Sequence, residues 1–206
     1  MSSVFITATG TDIGKTYTAC RMIQDWRAQG LKPAAVKPLM SGFSENELEQ
    51  SDAGQILAAL GEEVTPENIN RICMRRFEAA IAPNQAARAL GQPLDYDDIL
   101  AFINSRVLLA DGAPFLVEGA GGIMSPVTDT KLNIDLIADL AMPAILITAN
   151  YLGAISHTLS ALDVMDKWGI PIEKIVVTRP TEQHGAPEIL IEELQRWTNV
   201  DFFQQT

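Results

Sequence analysis

At 206 residues the chain has the length of one domain with a sizeable core. Hydrophobic residues make up 47% and charged residues 20%, which excludes a disordered chain too poor in apolar surface to offset its ordering entropy. With 26 acidic against 15 basic residues the net charge is −11; that balance excludes a duplex nucleic-acid binder, but not an anionic substrate met by locally concentrated positive groups.

Cys20 and Cys73 are far apart and make neither a disulfide framework nor a zinc motif, so two reduced thiols are expected. Met1 to Ile6 has no basic leader, and nothing approaches the run of about 20 apolar residues that crosses a bilayer. The expectation is a soluble, cytoplasmic protein of one domain, residues 1–206, with no membrane partner.

The first apolar run, Val4–Ala8, predicts a strand. It leads into Thr9-Gly10-Thr11-Asp12-Ile13-Gly14-Lys15-Thr16, which matches the phosphate-binding pattern G-x-x-x-x-G-K-[ST] except that Thr9 stands at the first glycine. A side chain at Gly14 would obstruct backbone N–H groups that must turn inward on a phosphate. Lys15 would supply charge to the β- and γ-phosphates, and the Thr16 hydroxyl would ligate Mg²⁺. Gly-Lys-Thr alone is no more than a turn and a helix start; the strand before it and the helix predicted over 15–29 after it supply the context.

Gly30 closes that helix, and Ala34–Lys37 predicts a second strand, followed by Pro38-Leu39-Met40-Ser41-Gly42. Strand ends face the ligand crevice in an open α/β sheet, so Lys37 would join Lys15; a lysine snorkelling to water is the simpler reading of Lys37 by itself. Residues 43–83 are polar and helix-rich without a clear strand, which predicts an excursion at the sheet edge. Within it, Asp52 reads as a first-turn residue of a helix beginning at Ser51, or as an acidic ligand. A helix over 95–109 puts Ile99, Phe102, Ile103 and Val107 on one stripe and ends before Gly112.

Phe115–Glu118 is an apolar strand ending in a carboxylate and then Gly119-Ala120-Gly121-Gly122, the position of a Mg²⁺-holding acid in P-loop proteins. Ala144–Ala149 predicts the next strand. Asn150 to His157 then opens a helix over 155–168, whose free N–H groups could hold a substrate carboxylate. His157 reads as an ordinary helix residue, and His184, in a polar loop, carries no signal. Lys174–Thr178 is the last strand predicted. Strands alternating with helices imply a single-domain, three-layer α/β fold of the P-loop NTPase type, with a mostly parallel sheet and helices on both faces.

Together these clusters resemble the dethiobiotin synthetase family, whose G-T-D-T-x-V-G-K-T, K-P-x-x-S-G, V-E-G-A-G-G and L-G-x-I-[NS]-H motifs are matched at 8–16, 37–42, 117–122 and 152–157. Ala82-Pro83-Asn84 resembles the end of the family's Ser-Pro-His segment, and the likeness covers most of residues 4–178. It implies an ATP-dependent carbon–nitrogen ligase. The family carboxylates 7,8-diaminopelargonate with CO₂, phosphorylates the carbamate, and closes the second amine on the mixed anhydride to give the ureido ring. By the same resemblance Thr16, Asp52 and Glu118 hold Mg²⁺, and Lys15, Lys37, Thr11 and Ser41 serve the carbamate and γ-phosphate. Asp12, Ile13, Gly14, Lys15 and Thr16 contact the nucleotide. A homodimer is implied, with Ser41 and the Gly153-Ala154-Ile155 helix start holding the substrate, the latter across the subunit interface.

The chain departs from the pattern in two places. Gly10 replaces an aspartate, which loosens the P-loop backbone, and Thr178 stands where relatives often carry a base-reading asparagine. The second change, with a C-terminus at Thr206 shorter than in many relatives, predicts a relaxed nucleotide preference. Alternatives are a cobyrinic-acid-type amide ligase, a partition-type ATPase, or a regulatory nucleotide-binding module. The expected glutaminase domain of the first does not fit in 206 residues, Thr9–Lys15 lacks the Lys-Gly-Gly-x-x-x-Lys loop of the second, and Lys37, Ser41 and Glu118 exceed the needs of the third.

Overall fold

A computed structural model describes residues 3–181 and 184–205. The elements run β1 (Ser3–Ala8), α1 (Lys15–Ala28), β2 (Ala34–Val36), β3 (Leu39–Ser41), α2 (Asp52–Leu60), α3 (Pro66–Ile72), β4 (Arg75–Phe77) and α4 (Pro83–Ala89). They continue through α5 (Tyr96–Leu109), β5 (Phe115–Glu118), α6 (Asn133–Leu140), β6 (Ala144–Ala149), α7 (Ala154–Lys167), β7 (Ile172–Thr178), α8 (Pro187–Leu194) and β8 (Phe202–Gln205).

Six strands form one sheet in the order β2-β5-β1-β6-β7-β8, and every neighbouring pair is parallel. The central strands β5 and β6 are buried at every residue, which explains apolar runs without alternation: both sheet faces are covered. The connection from β1 to β2 moves one way across the sheet, whereas β5 to β6, β6 to β7 and β7 to β8 move the other way. Right-handed crossovers therefore set α1 on one face and α6, α7 and α8 on the opposite one. The reversal occurs at β1, so the loop after β1 opens at the switch point where such sheets bind ligands.

Helix ends follow the glycines read from sequence: Gly30, Gly112 and Gly169 all take left-handed φ just beyond α1, α5 and α7. Ser51 caps α2 by accepting from the Gly54 N–H, as the predicted start at Ser51 requires. Three strands escaped the sequence reading: β3, β4 and β8. Residues 43–83 do contain one, since β4 pairs in parallel with β3 in a separate two-stranded sheet. Each is three residues long, and the Arg75-Arg76-Phe77 sequence of β4 gives no alternation to detect. The third is β8, which extends the main sheet beyond β7, with Gln205 opposite Thr178. Among the described residues, no helix is long and apolar enough to cross a membrane.

Candidate active site

The P-loop leaves β1 with its backbone committed to one shape. Asp12 sits at φ 57 and Gly14 at φ 93. Gly14 is also the N-cap of α1, with no side chain capping the first turn and no acid within it. Its early N–H groups are thus left to an anion, and the helix dipole adds a positive end. A Cβ at Gly14 would need the left-handed backbone and would lie 3.1 Å from Thr178 Cγ2. The Lys15 ammonium folds back to donate to the Gly10 carbonyl at 2.9 Å, so the carbonyl at the unusual glycine anchors this lysine.

Beside the loop a compact cluster of charge is formed from three strand or helix ends. The Lys37 ammonium, just past β2, is 2.5 Å from Glu118 Oε1 at the end of β5 and 2.9 Å from Asp52 Oδ2 at the start of α2. It also donates to the Gly119 carbonyl at 3.3 Å. The Thr16 hydroxyl lies 2.9 Å from Asp52 Oδ1 and 2.8 Å from Glu118 Oε1, and its single proton serves one carboxylate at a time. Glu118 is 0% exposed, and its Oε2 is buried without a hydrogen-bond partner. An orphaned carboxylate oxygen in that setting calls for a cation or a donor.

Electrostatics follow from this crowding. Burial is the main force on Lys15 and, with the nearby Lys37 charge, pushes it down to about 8. For Lys37 burial also works downward, but Glu118 and Asp52 outweigh it and hold the ammonium above the usual lysine range. Burial would raise Asp52, yet the Lys37 charge and the hydrogen bonds from Lys37 and Thr16 hold it below the usual carboxylate range. Cys20 is pushed up to about 12 by burial, with Glu118 and Asp52 adding to the effect, so its thiol is inert there.

These groups line one cavity of about 640 Å³. Thr11, Asp12, Gly14, Lys15, Thr16, Lys37, Ser41, Asp52 and Glu118, all expected at the site, contribute to its wall. Ser41 Oγ is buried there without a partner. Five expected residues, Ile13, Thr178, Gly153, Ala154 and Ile155, are not on that wall. Ile13 is buried, and its carbonyl accepts a 2.7 Å hydrogen bond from Thr178 Oγ1. Thr178 thus props the P-loop from beneath, with the Thr148 carbonyl a second acceptor at 3.2 Å. The Gly153-Ala154-Ile155 turn is also apart: it lines a second hollow with Asn150, Tyr151, Leu152, Ser156 and Gly185. Leu152 is 103% exposed there. His157 is an exposed helix residue whose Nδ1 lies 3.0 Å from the Tyr151 hydroxyl.

Several residues that shape the site carried no sequence signal. Asn133, 1% exposed at the start of α6, donates its amide to the carbonyls of Ala120 at 2.6 Å and Gly122 at 2.8 Å. Ile123 N–H donates to the Ala8 carbonyl at 2.9 Å, stitching the glycine-rich loop to the P-loop. Ser125, Tyr17, Met40 and Ile81 also line the cavity. A buried asparagine with a loop-holding role looks like any helix-start asparagine in sequence; only the fold brings it under the glycines.

Thr16, Asp52 and Glu118 fit a Mg²⁺ ion: their oxygens converge, and Glu118 Oε2 awaits a partner. Among the described residues there is no group of three or more His, Cys, Asp or Glu poised for a metal. Two carboxylates and a hydroxyl suit an ion that keeps waters and takes phosphate oxygens, as Mg²⁺ does.

Comparison with known proteins agrees with this geometry. A family model described as "AAA domain" matches residues 2–205. A protein of Phenylobacterium zucineum named ATP-dependent dethiobiotin synthetase BioD is 43% identical over 188 residues, covering 91% of this chain and 80% of that protein. A namesake from Methylobacterium nodulans is 34% identical over 204 residues, covering 97% and 91%. Among solved structures, the MinD cell division protein of Aquifex aeolicus aligns with a TM-score of 0.54 at 11% identity, over 100% of this chain and 83% of that one. The signal recognition particle receptor FtsY of Elizabethkingia anophelis gives 0.52 at 11%, over 98% of this chain and 55% of that one. These two likenesses concern the fold alone, an α/β architecture shared across P-loop NTPases. The 43% and 34% identities to the two dethiobiotin synthetases, over most of both chains, show that this chain belongs to the dethiobiotin synthetase family.

Proposed function

We propose that this protein closes the ureido ring of dethiobiotin from 7,8-diaminopelargonate, CO₂ and ATP, as an ATP-dependent carbon–nitrogen ligase of biotin synthesis. The observation that carries the reading is the second lysine. Lys37 lies buried against Glu118, in contact with Asp52 and close to Thr16 and the P-loop lysine, in one cavity of about 640 Å³. Nucleotide binding alone needs Lys15; a second buried ammonium at the γ-phosphate end suits an anionic acceptor of that phosphate.

One amine of the substrate adds to CO₂ and loses a proton, giving a carbamate. A carbamate oxygen attacks the γ-phosphorus and the nucleoside diphosphate departs. The second amine then attacks the carbamate carbon, phosphate leaves, and the nitrogen gives up its proton. None of these steps needs a covalent enzyme intermediate, so the protein's task is to position and neutralise. Early N–H groups of α1, with Asp12, Ile13 and Gly14 shaping the loop, cradle the phosphates. Lys15 and Lys37 balance charge between the carbamate and the γ-phosphate, and Thr11 and Ser41 donate hydroxyl protons to the same oxygens. Thr16, Asp52 and Glu118 would hold Mg²⁺, which when bound screens the phosphate oxygens.

The protein acts as a homodimer in this reading. The exposed Gly153–Ile155 turn, set apart from the cavity of its own chain, supports a role in holding the carboxylate of substrate bound to the partner. Two unpaired thiols, Cys20 and Cys73, support a reducing, cytoplasmic setting. The Thr178 hydroxyl, engaged by the Ile13 carbonyl, supports a relaxed base preference, since it has no second proton for a base edge.

The test is incubation with diaminopelargonate, bicarbonate, Mg²⁺ and ATP, followed by mass spectrometry. Dethiobiotin and ADP in equal amounts are expected. Substrate-independent ATP turnover without dethiobiotin would overturn the reading in favour of a partition-type ATPase, and neither product nor turnover would favour a regulatory module.

A further inference from the structure

The glycine-rich loop after β5 brings one more hydroxyl to the cavity, and that hydroxyl has a proton left to donate. Ser125 N–H donates to the Gly122 carbonyl at 3.0 Å, closing a tight turn. In return the Gly122 N–H donates to Ser125 Oγ at 2.8 Å. This bond occupies the hydroxyl as an acceptor and fixes its rotamer. A serine hydroxyl still carries one proton to donate. Among the described residues no acceptor takes it, and Ser125 lines the cavity that holds Lys15, Lys37 and Glu118.

The neighbouring glycine explains why the hydroxyl can sit there. Gly121 has φ +74, and a Cβ on it would lie 2.4 Å from Ser125 Oγ and 4.0 Å from Thr11 Oγ1. Ser125 fills the space that a side chain at 121 would take, on the same side of the loop as Thr11. Further hydrogen bonds hold the arrangement in place. Asn133 N–H donates to the Ser125 carbonyl at 3.0 Å, and the Asn133 amide holds the carbonyls of Ala120 and Gly122. A donor fixed in this way costs no reorganisation when charge develops in front of it.

We propose that Ser125 is a further catalytic residue, whose hydroxyl donates a hydrogen bond to a carbamate oxygen of the substrate in the cavity it shares with Lys37. The assignment rests on the ligase reading above. It makes the glycine-rich loop a substrate-binding wall as well as the support of a metal-holding carboxylate.

Ser125→Ala and Ser125→Cys test it, with Ser125→Thr as rescue. The thiol keeps the size and a weak acceptor for Gly122 N–H but donates poorly. Both Ala and Cys variants should lose about ten- to a hundredfold in kcat for dethiobiotin formation, the size of one hydrogen bond to a charged group. The Kd of a non-hydrolysable ATP analogue with Mg²⁺ should stay within about twofold, because the phosphate contacts lie on the P-loop. Ser125→Thr should recover most of the turnover. A purely structural role would move Tm and the analogue Kd together in the Ala variant, since Gly122 packs on the P-loop, and the Cys variant would stay near normal. That pattern, or unchanged kcat in both variants, would overturn the assignment. Failure of the unmodified protein to form any dethiobiotin would instead overturn the ligase reading, and this assignment with it.

Discussion

Replacing Lys37 by methionine removes one ammonium and keeps most of the stem's volume. It leaves Glu118, 0% exposed, without the ammonium 2.5 Å from Oε1. Breaking a buried pair from one side costs about 3–5 kcal/mol, because the remaining charge stays desolvated. Asp52 is 37% exposed at its side chain and recovers some solvation, so the lower end, about 3 kcal/mol, is the expected loss. For a domain of this size each kcal/mol moves Tm by about 2–4 °C, which gives a fall of roughly 6–12 °C in EDTA. In the proposed reading Mg²⁺ would bind the same oxygens through Thr16, Asp52 and Glu118, so millimolar Mg²⁺ should raise the variant's Tm more than that of the unmodified protein. Thermal melts with and without Mg²⁺ measure both quantities, and enzymatic turnover in the variant should fall far more than nucleotide affinity. A Tm in EDTA within about 1 °C of the unmodified protein, or an equal Mg²⁺ response in both, would refute the paired-cluster reasoning.

Lys15 supplies a pH-dependent expectation. Its folded pKa, about 8, is below its ordinary 10.5, so in the free protein the group carries a stability penalty while protonated. That penalty is full below about 8 and lifts as pH rises toward 10.5. Polyphosphate favours the ammonium, so nucleotide binding near pH 8 should take up a fraction of a proton, and affinity should fall as pH rises through that value. Calorimetry in buffers of different ionisation enthalpy reads the uptake; identical heats in all buffers would refute it. Thr178→Val should cost about 1 kcal/mol of stability by stranding the Ile13 carbonyl, while the ratio of kcat/KM for ATP to that for GTP or CTP stays unchanged. A changed ratio would make Thr178 a base reader after all.

Sequence legibility followed physical locality. Thr9 to Thr16, Val117 to Gly122 and Lys37 to Ser41 each lie in one short run, because a phosphate loop needs consecutive backbone amides and a strand end presents its residues in order. Asp52 had two readings: it opens α2 behind its Ser51 cap, as the first has it, and its carboxylate meets Lys37 and Thr16, which supports the second. What stayed hidden depends on partners remote in the chain. Asn133 acts on Ala120 and Gly122, Thr178 acts on Ile13, and β4 has meaning only beside β3. No periodicity marks such residues, since each does its work through contacts made only after folding. The turn at Gly153–Ile155 shows the opposite case: its motif was plain, while its distance from its own chain's cavity could not be read from order along the chain.

The Asn133 clamp has an evolutionary consequence. Its amide, together with the Ile123-to-Ala8 bond, welds two loops more than a hundred positions apart into one mechanical piece. Drift on the outer helices can then proceed without disturbing the walls that face the phosphates. Variation inside the weld must instead arrive in compensated pairs, such as a change at 121 accompanied by one at 125. New substrates are therefore more accessible to a lineage through the exposed rim at Ala80 and Ile81 than through the welded floor.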